Sequence, residues 1–431
     1  MNNRRVVVTG VGVLAPNGST KEEYCAALKA GKSGIKHWEH LKEGGFSSQV
    51  GGIPELSQER IKEYLTEEDL IAMNQTMIYT AIASIDAWRD AGFEYNRDDR
   101  NSYHPETGAI IGTGFGGGES AIDRIAPRLL DKKIARMGSS SVEQCMSSGP
   151  VAKLAGLLGL GGRVSTLSSA CTTGTESIID AFNYIQMGKY ERMLAGGAEA
   201  SHPGVWSGFD AMRVTNRKMN DKPEAASRSL SASACGFVPG SGAGILMLES
   251  LDSALARGAK IYAEILAGEL NCGGHRNGGS MTAPSPSGVQ ACIRKTIESA
   301  GIKPEEITAI NGHLTATMAD PAEVKNWAAT LGLPHEKMPL IQATKSMIGH
   351  GLGAAGGLEC VAVVLQIRHG FLHKTINCED LHPEIEPWRS SILYETKENI
   401  DVNIIAKSSF GFGDVNGCLI FKKYEPTPKT I

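Results

Sequence analysis

The stretch VSTLSSACTTGTESII, residues 164–179, changes its period in mid-course. Val164 to Leu167 has the composition of a short buried strand, whereas Ile178, Ile179, Phe182 and Ile185 recur at helical spacing. Ser168, Ser169 and Ala170 between them are small enough for a sharp turn, so Cys171 falls at a strand-to-helix junction. On the N-terminal side, Arg4 to Leu14 reads as a buried strand, Thr66 to Gly92 as one long helix, and Ala109 to Gly112 as a strand entering a glycine turn. On the C-terminal side, strands are predicted at Met193–Gly197 and Ala243–Glu249. A second series follows at Ile261–Leu266, Ile307–Ile310, Leu340–Ile341, Ile404–Ala406 and Cys418–Phe421. Strands that alternate with helices in both series predict a layered α/β architecture.

A chain of 431 residues exceeds what one hydrophobic core usually serves. Two core-forming units or one large duplicated fold is expected; the halves are taken as 1–258 with Cys171 and 259–431 with His313 and His350, packed intimately because no Pro/Ser-rich linker separates them. The polar, Ser- and Ala-rich run from Asn216 to Cys235 reads as a long surface excursion or lid.

Lys and Arg number 43 against 47 Asp and Glu, and the net charge of -4 offers no global attraction to nucleic acid or an anionic membrane. No apolar run approaches 18 residues, and Thr9, Gly10, Gly12 and Pro16 interrupt the only stretch resembling a signal peptide. The nine cysteines lack any C-x-x-C pair, which suits reduced thiols in a cytoplasmic protein.

Two glycine patterns, Gly10 to Ala15 and Gly112 to Gly117, match G-x-G-x-x-[GA]. The first runs into Pro16-Asn17-Gly18 rather than a helix, and the second lies too far along to open a first βαβ unit, so both read as structural turns. Cys171 at a helix start is expected to have a lowered pKa and nucleophilic character, although an apolar-flanked cysteine alone is more often a packed core residue. His313 and His350 sit at loops, where a single histidine is usually a hydrogen-bonded structural residue. The basic residues Arg124, Arg128, Lys132, Lys133 and Arg136 form either a docking patch or a solvated face.

Taken together, CTTGT at Cys171, HLTAT at His313, KSMIGH from Lys345 to His350, and FGFG from Phe410 resemble the ordered signature of the elongating β-ketoacyl synthases. The likeness runs from Arg5 to Lys423 and includes GFVPGSGAG from Gly236 and MTAP from Met281. It implies a thiolase-like fold, with duplicated halves stacked in a five-layer αβαβα arrangement, normally in a dimer. By that resemblance Cys171 accepts the acyl group, His313 and His350 bind the malonyl thioester carbonyl, and Lys345 supports the pair. Phe410 matches the gating phenylalanine whose N–H joins that of Cys171 in an oxyanion hole, Thr315 and Thr317 match threonines that bond the phosphopantetheine arm, and Phe412 lines the substrate path. No cofactor or metal is implied, because the substrates arrive on acyl carrier protein and two imidazoles stabilise the enolate. Lys345 is expected to keep both rings from becoming imidazolium.

The departures bear on the pathway. Leu314 and Ala316 stand where the family favours glycine or a small residue, and Leu230 to Cys235 replaces a charged segment. Asp414 follows Gly413, and Phe115 occupies a turn where fatty-acid enzymes carry an aliphatic or smaller residue, placing an aromatic ring toward the acyl pocket at the dimer interface. These features resemble the ketosynthase subunit of Gram-negative type II polyketide or aryl-polyene systems, which pairs with a chain-length-factor homologue in a heterodimer; a homodimer is the other arrangement. Fatty-acid elongation is the rival of the same chemistry, and a non-catalytic chain-length partner is the rival of another class.

Overall fold

The computed structural model describes residues 4–426. Ten strands carry the architecture: β1 (Val6–Leu14), β2 (Thr107–Gly112), β3 (Val164–Ser165), β4 (Arg192–Glu199), β5 (Gly242–Ser250), β6 (Ala263–Cys272), β7 (Ala309–Asn311), β8 (Leu340–Gln342), β9 (Ile404–Gly411) and β10 (Val415–Lys422). Six helices alternate with them: α1 (Gln75–Asp90), α2 (Gly149–Leu158), α3 (Thr173–Gln186), α4 (Pro286–Ala300), α5 (Asp320–Leu331) and α6 (Ala355–His369).

The strand order is β8-β7-β9-β10-β6-β1-β5-β4-β2-β3. Within it β1, β5 and β4 run antiparallel in sequence of pairing, and β4, β2 and β3 are parallel. The second half repeats the scheme, with β6, β10 and β9 antiparallel and β9, β7 and β8 parallel. Each half therefore reads β-α-β-α-β-α-β-β, which makes the fold a duplication. The two arrays join through β1 and β6, paired only at Val6, Val7 and Val8 with Ile265, Glu264 and Ala263.

Alternation along the strands sorts side chains into three cores. Ala109 and Ile111 pack outward on α1 and α2, while Ile110 between them faces α3 and α6. The mirror core of the second half sets Ile404 and Ala406 against α4 and α5. Helices α3 and α6 thus lie between the arrays, giving the five layers of a thiolase-like fold. Helix α6 is buried from Ala355 to Ile367, and such a helix needs apolar residues all round. Its close approach depends on glycine: a Cβ at Gly357 would lie 2.2 Å from the Gly244 carbonyl oxygen, and one at Gly174 would lie 2.6 Å from the Gly357 nitrogen.

Two expectations need correction. The helix foreseen over Thr66–Gly92 is broken at Asn74, whose side chain accepts from the Met77 N–H and caps a new helix; a short helix, Glu67–Ala72, precedes it. The segment Asn216–Cys235 is only in part the expected surface excursion: Arg217 to Ala225 are exposed or half-buried, but the part from Ala226 to Ser231 is buried. That part is a strap beneath the site: Ser227 Oγ donates to the Lys345 carbonyl at 2.8 Å and Ser229 Oγ to the Leu314 carbonyl at 2.9 Å. Among the described residues no helix is long and apolar enough to cross a membrane.

Candidate active site

The duplication brings the reactive residues together from corresponding places. Cys171 lies between β3 and α3, and His350 lies between the equivalent β8 and α6. His313 follows β7 and Phe412 lies in the β9–β10 turn. Side chains at the carboxyl ends of parallel strands commonly meet in one crevice.

They do so here. Cys171 Sγ and one ring nitrogen each of His313 and His350 all lie within 4.8 Å of one another. The two imidazoles meet edge to face, centroids 5.3 Å apart and planes at 85°. Cys171, His313, His350, Thr315, Thr317, Phe410 and Phe412 line a single cavity of ≈ 830 Å³, mostly apolar, with Phe209 and Phe237 adding aromatic wall. Lys345 stands behind it, and Thr315 and Thr317 hold their hydroxyls 2.9 Å apart at its side.

Both rings have a defined hydrogen-bond frame. Nδ1 of His350 accepts from the Leu352 N–H at 3.1 Å, and Nδ1 of His313 lies 3.4 Å from the Lys345 ammonium, a group that can only donate. A neutral ring so engaged carries its proton on Nε2. Burial first, and Lys345 second, hold both rings well below the ordinary histidine range, so they are neutral. Desolvation, more than the like-charge repulsion expected from Lys345, sets their state.

The cysteine departs from expectation. The turn before α3 is tight, with Ala170 at φ 49 and Gly411 of β9 packed against it; a Cβ on Gly411 would lie 3.2 Å from the Cys171 nitrogen. Burial pushes the resting thiol up to about 11, against the lowering from Lys345 and from the N–H groups of Phe412 and Cys171 itself. The helix start does not outweigh desolvation. Phe412, not Phe410, supplies the N–H beside the sulfur. Phe410 lies inside β9, paired with Asn416, and its ring meets that of His313 at 6.3 Å.

Phe115, expected toward an acyl pocket at the dimer interface, does not line this cavity within the single subunit. Its ring is 47% exposed and reaches the cavity only through Phe209, with centroids 6.1 Å apart. In the basic patch, Arg124 is spent internally on the Met137 carbonyl, Ser140 and Gln144, and Lys133 pairs with Asp131.

Several supporting residues had escaped the sequence reading. The loop carrying His313 holds Leu314 at φ 22 and Ala316 at φ 63, costly values for residues with a Cβ. Two carboxylates at the start of α5 hold it: Glu323 accepts from the N–H groups of His313 and Leu314 at 2.7 and 2.9 Å, and Asp320 from Thr315, Ala316 and Leu230 at 2.8 to 3.1 Å. The glycine turn after β2 is filled likewise. Glu199, pushed up to about 7 by burial, accepts from the N–H groups of Gly114, Phe115 and Gly353. An internal carboxylate thus takes the donors a phosphate would need. Two buried ammonium groups, Lys345 and Lys407, stand behind the imidazoles, and their repulsion opposes a metal cation there.

Family models describing the N-terminal and C-terminal domains of β-ketoacyl synthase match residues 3–254 and 262–379. The chain belongs to the β-ketoacyl synthase family. Among curated relatives, a 3-oxoacyl-[acyl-carrier-protein] synthase 1 from Haemophilus influenzae is 35% identical over 98% of this chain and 99% of its own. Among solved structures, this synthase is similar to the ishigamide ketosynthase/chain length factor, with a TM-score of 0.86 and 30% identity over 98% of this chain and 100% of that one. It is also similar to a type II polyketide acyl carrier protein complex with its ketosynthase bound to the hexaketide, at TM-score 0.85, 26% identity and the same coverage. This synthase is a condensing acyltransferase of the 3-oxoacyl-[acyl-carrier-protein] synthase type.

Proposed function

We propose that this synthase extends a growing type II polyketide chain, using malonyl units delivered on acyl carrier protein, with Cys171 as nucleophile. The observation that carries the catalytic part is the convergence of one sulfur and two neutral imidazoles within 4.8 Å. Loading exchanges thioesters: Cys171 sulfur attacks the acyl carbonyl, its oxygen is received by the N–H groups of Cys171 and Phe412, and the proton Cys171 gives up goes to the departing carrier thiolate. The malonyl thioester then enters along Thr315 and Thr317, which hold the phosphopantetheine arm. Its carboxylate leaves as carbon dioxide, and the electron pair moves into an enolate whose oxygen accepts from Nε2–H of His313 and of His350. The enolate carbon attacks the Cys171 thioester, the carbon–sulfur bond breaks, the Cys171 thiolate takes up a proton from solvent, and the β-ketoacyl chain departs on the carrier. Each step closes without a cofactor.

The polyketide reading is supported by the aromatic wall of Phe209, Phe237 and Phe412, which suits flat unsaturated chains, and by the two solved neighbours. The curated 3-oxoacyl-[acyl-carrier-protein] synthases favour fatty-acid elongation as the second reading. For assembly we infer a dimer, either with itself or with a chain-length-factor homologue. Leu129, Leu130, Ile134 and Val142 expose apolar side chains close in sequence to Phe115, and β3 is an unpaired sheet edge.

Intact-mass measurement after incubation with an acyl carrier tests the nucleophile: Cys171→Ala is expected to take up no acyl group. Undiminished loading would transfer the role to another thiol. Mass spectrometry of the carrier-bound products, with and without a candidate partner, decides the pathway. Unreduced or polyunsaturated chains are expected, and efficient extension of long saturated acyl groups alone would establish fatty-acid elongation.

A further inference from the structure

Beneath the two histidines lies a second lysine that the mechanism has not used. Lys407, on β9, is fully buried; its Nζ is 3.0 Å from Glu359 Oε2 and 3.0 Å from Ser409 Oγ, and it also donates to the Ser408 carbonyl. Glu359, on α6 and equally buried, is simultaneously paired with Lys345. A lysine is almost never fully buried unless it is paired, because its desolvation is expensive. Glu323, the second carboxylate at this floor, accepts from the His313 and Leu314 N–H groups and from Ser408 Oγ. Two ammonium groups therefore meet two carboxylates. Without Lys407, one cation would face two acids, directly below the place where a malonyl carboxylate and then an enolate must sit. The other titratable neighbours are Cys171 at the head of α3, His313 and His350, Cys360 on α6, Cys418 on β10, and His373 and Tyr24 near Glu359.

We propose that Lys407 is a positioning residue for decarboxylation: by sharing Glu359 with Lys345 it cancels the excess acid charge under the imidazoles and keeps both rings neutral hydrogen-bond donors. It acts through the histidines and does not touch substrate. Both rings are held well below their usual range by burial first and then by neighbouring cations, Lys407 among them in each case. Removing a cation makes protonation easier, so the rings would gain protons at a higher pH, and the acid side of the activity profile would move upward. The inference rests on the assignment of His313 and His350 to decarboxylation.

Carbon dioxide release from malonyl carrier, measured from about pH 8 down to about pH 4, well below the ordinary histidine range, tests it in the full-length Lys407→Met and Lys407→Gln proteins. The acid limb of both is expected to move up by about one unit relative to the parent, with a several-fold loss at its optimum. The pH dependence of Cys171 alkylation is expected to stay in place, since a merely structural loss would disturb both profiles. An unmoved acid limb, or two profiles shifting together with a fall in melting temperature, would overturn the proposal. In the unsubstituted protein, histidine ring NMR is expected to show both rings staying neutral as the pH falls through the ordinary histidine range; titration of either near its ordinary value would overturn it equally. His313→Ala separates the two levels of argument. If it still decarboxylates, the histidine assignment fails; if it is inactive while Lys407→Met keeps the parental limb, only the lysine inference fails.

Discussion

Cys171 is placed where burial works against its own ionisation, and the sign of that effect can be measured. With its thiol pushed up to about 11, the thiolate is a small fraction at neutral pH and grows about tenfold per pH unit. Iodoacetamide labelling should therefore keep accelerating from pH 7 to 9, whereas a plateau near pH 7 would mean that the helix start had already ionised it. The motif around Cys171, and those of His313, Lys345 and His350, made this group legible because each is short and local in sequence. Glu359, Lys407, Asp320 and Glu323 were not legible. A buried carboxylate and a surface one look alike in a sequence, and only the folded chain brings residue 407 to residue 359. The assignment of Phe410 rather than Phe412 to the oxyanion N–H failed for a related reason. Both aromatics sit in one repeat of Phe-Gly, and the strand end at Gly411, which frees the second amide, cannot be read from composition.

At the level of elements, the loop between β7 and α5 is held by carboxylates more than by its own conformational preferences. Asp320→Ala would strip acceptors from the buried N–H groups of Thr315, Ala316 and Leu230 and cost about 3 kcal/mol or more. Denaturant unfolding checks that figure, and a loss under about 1 kcal/mol would mean that water or another acceptor replaces the carboxylate. The crossing of α3 and α6 is similarly demanding. Gly357→Ala would force a Cβ to 2.2 Å from the Gly244 carbonyl oxygen, and neither backbone can retreat. A fall in stability of about 3 kcal/mol or more is expected by thermal melting. Most strands were found by their apolar runs to within a few residues. The break at Asn74 was hidden because Leu70, Met73 and Met77 continue the helical spacing across it, and the buried strap from Ala226 to Ser231 was hidden because its polar residues serve internal hydrogen bonds.

Over the whole molecule, the exposed apolar side chains between Phe115 and Met146 predict an assembly surface. Leu130, 82% exposed, contributes nothing visible to the chain's own core. Leu130→Asp should weaken self-association or partner capture in analytical ultracentrifugation while leaving the melting of the subunit nearly unchanged. An unaltered sedimentation profile would remove this face from the interface. The α/β class was legible from alternating periods alone. Duplicated halves were expected from the family resemblance and not from any internal repeat, since the two arrays share strand order and direction rather than a repeated motif.

The position of α6 between the arrays has a further consequence during synthesis. All five strands of the first half have left the ribosome by Ser250, yet the helix that roofs α3 begins only at Ala355. Translation of the roughly 100 intervening residues takes about 5 to 20 seconds. Throughout that interval α3 has its own sheet beneath it but lacks the cover of α6, so this stretch of translation is expected to be when the growing polypeptide most needs a chaperone.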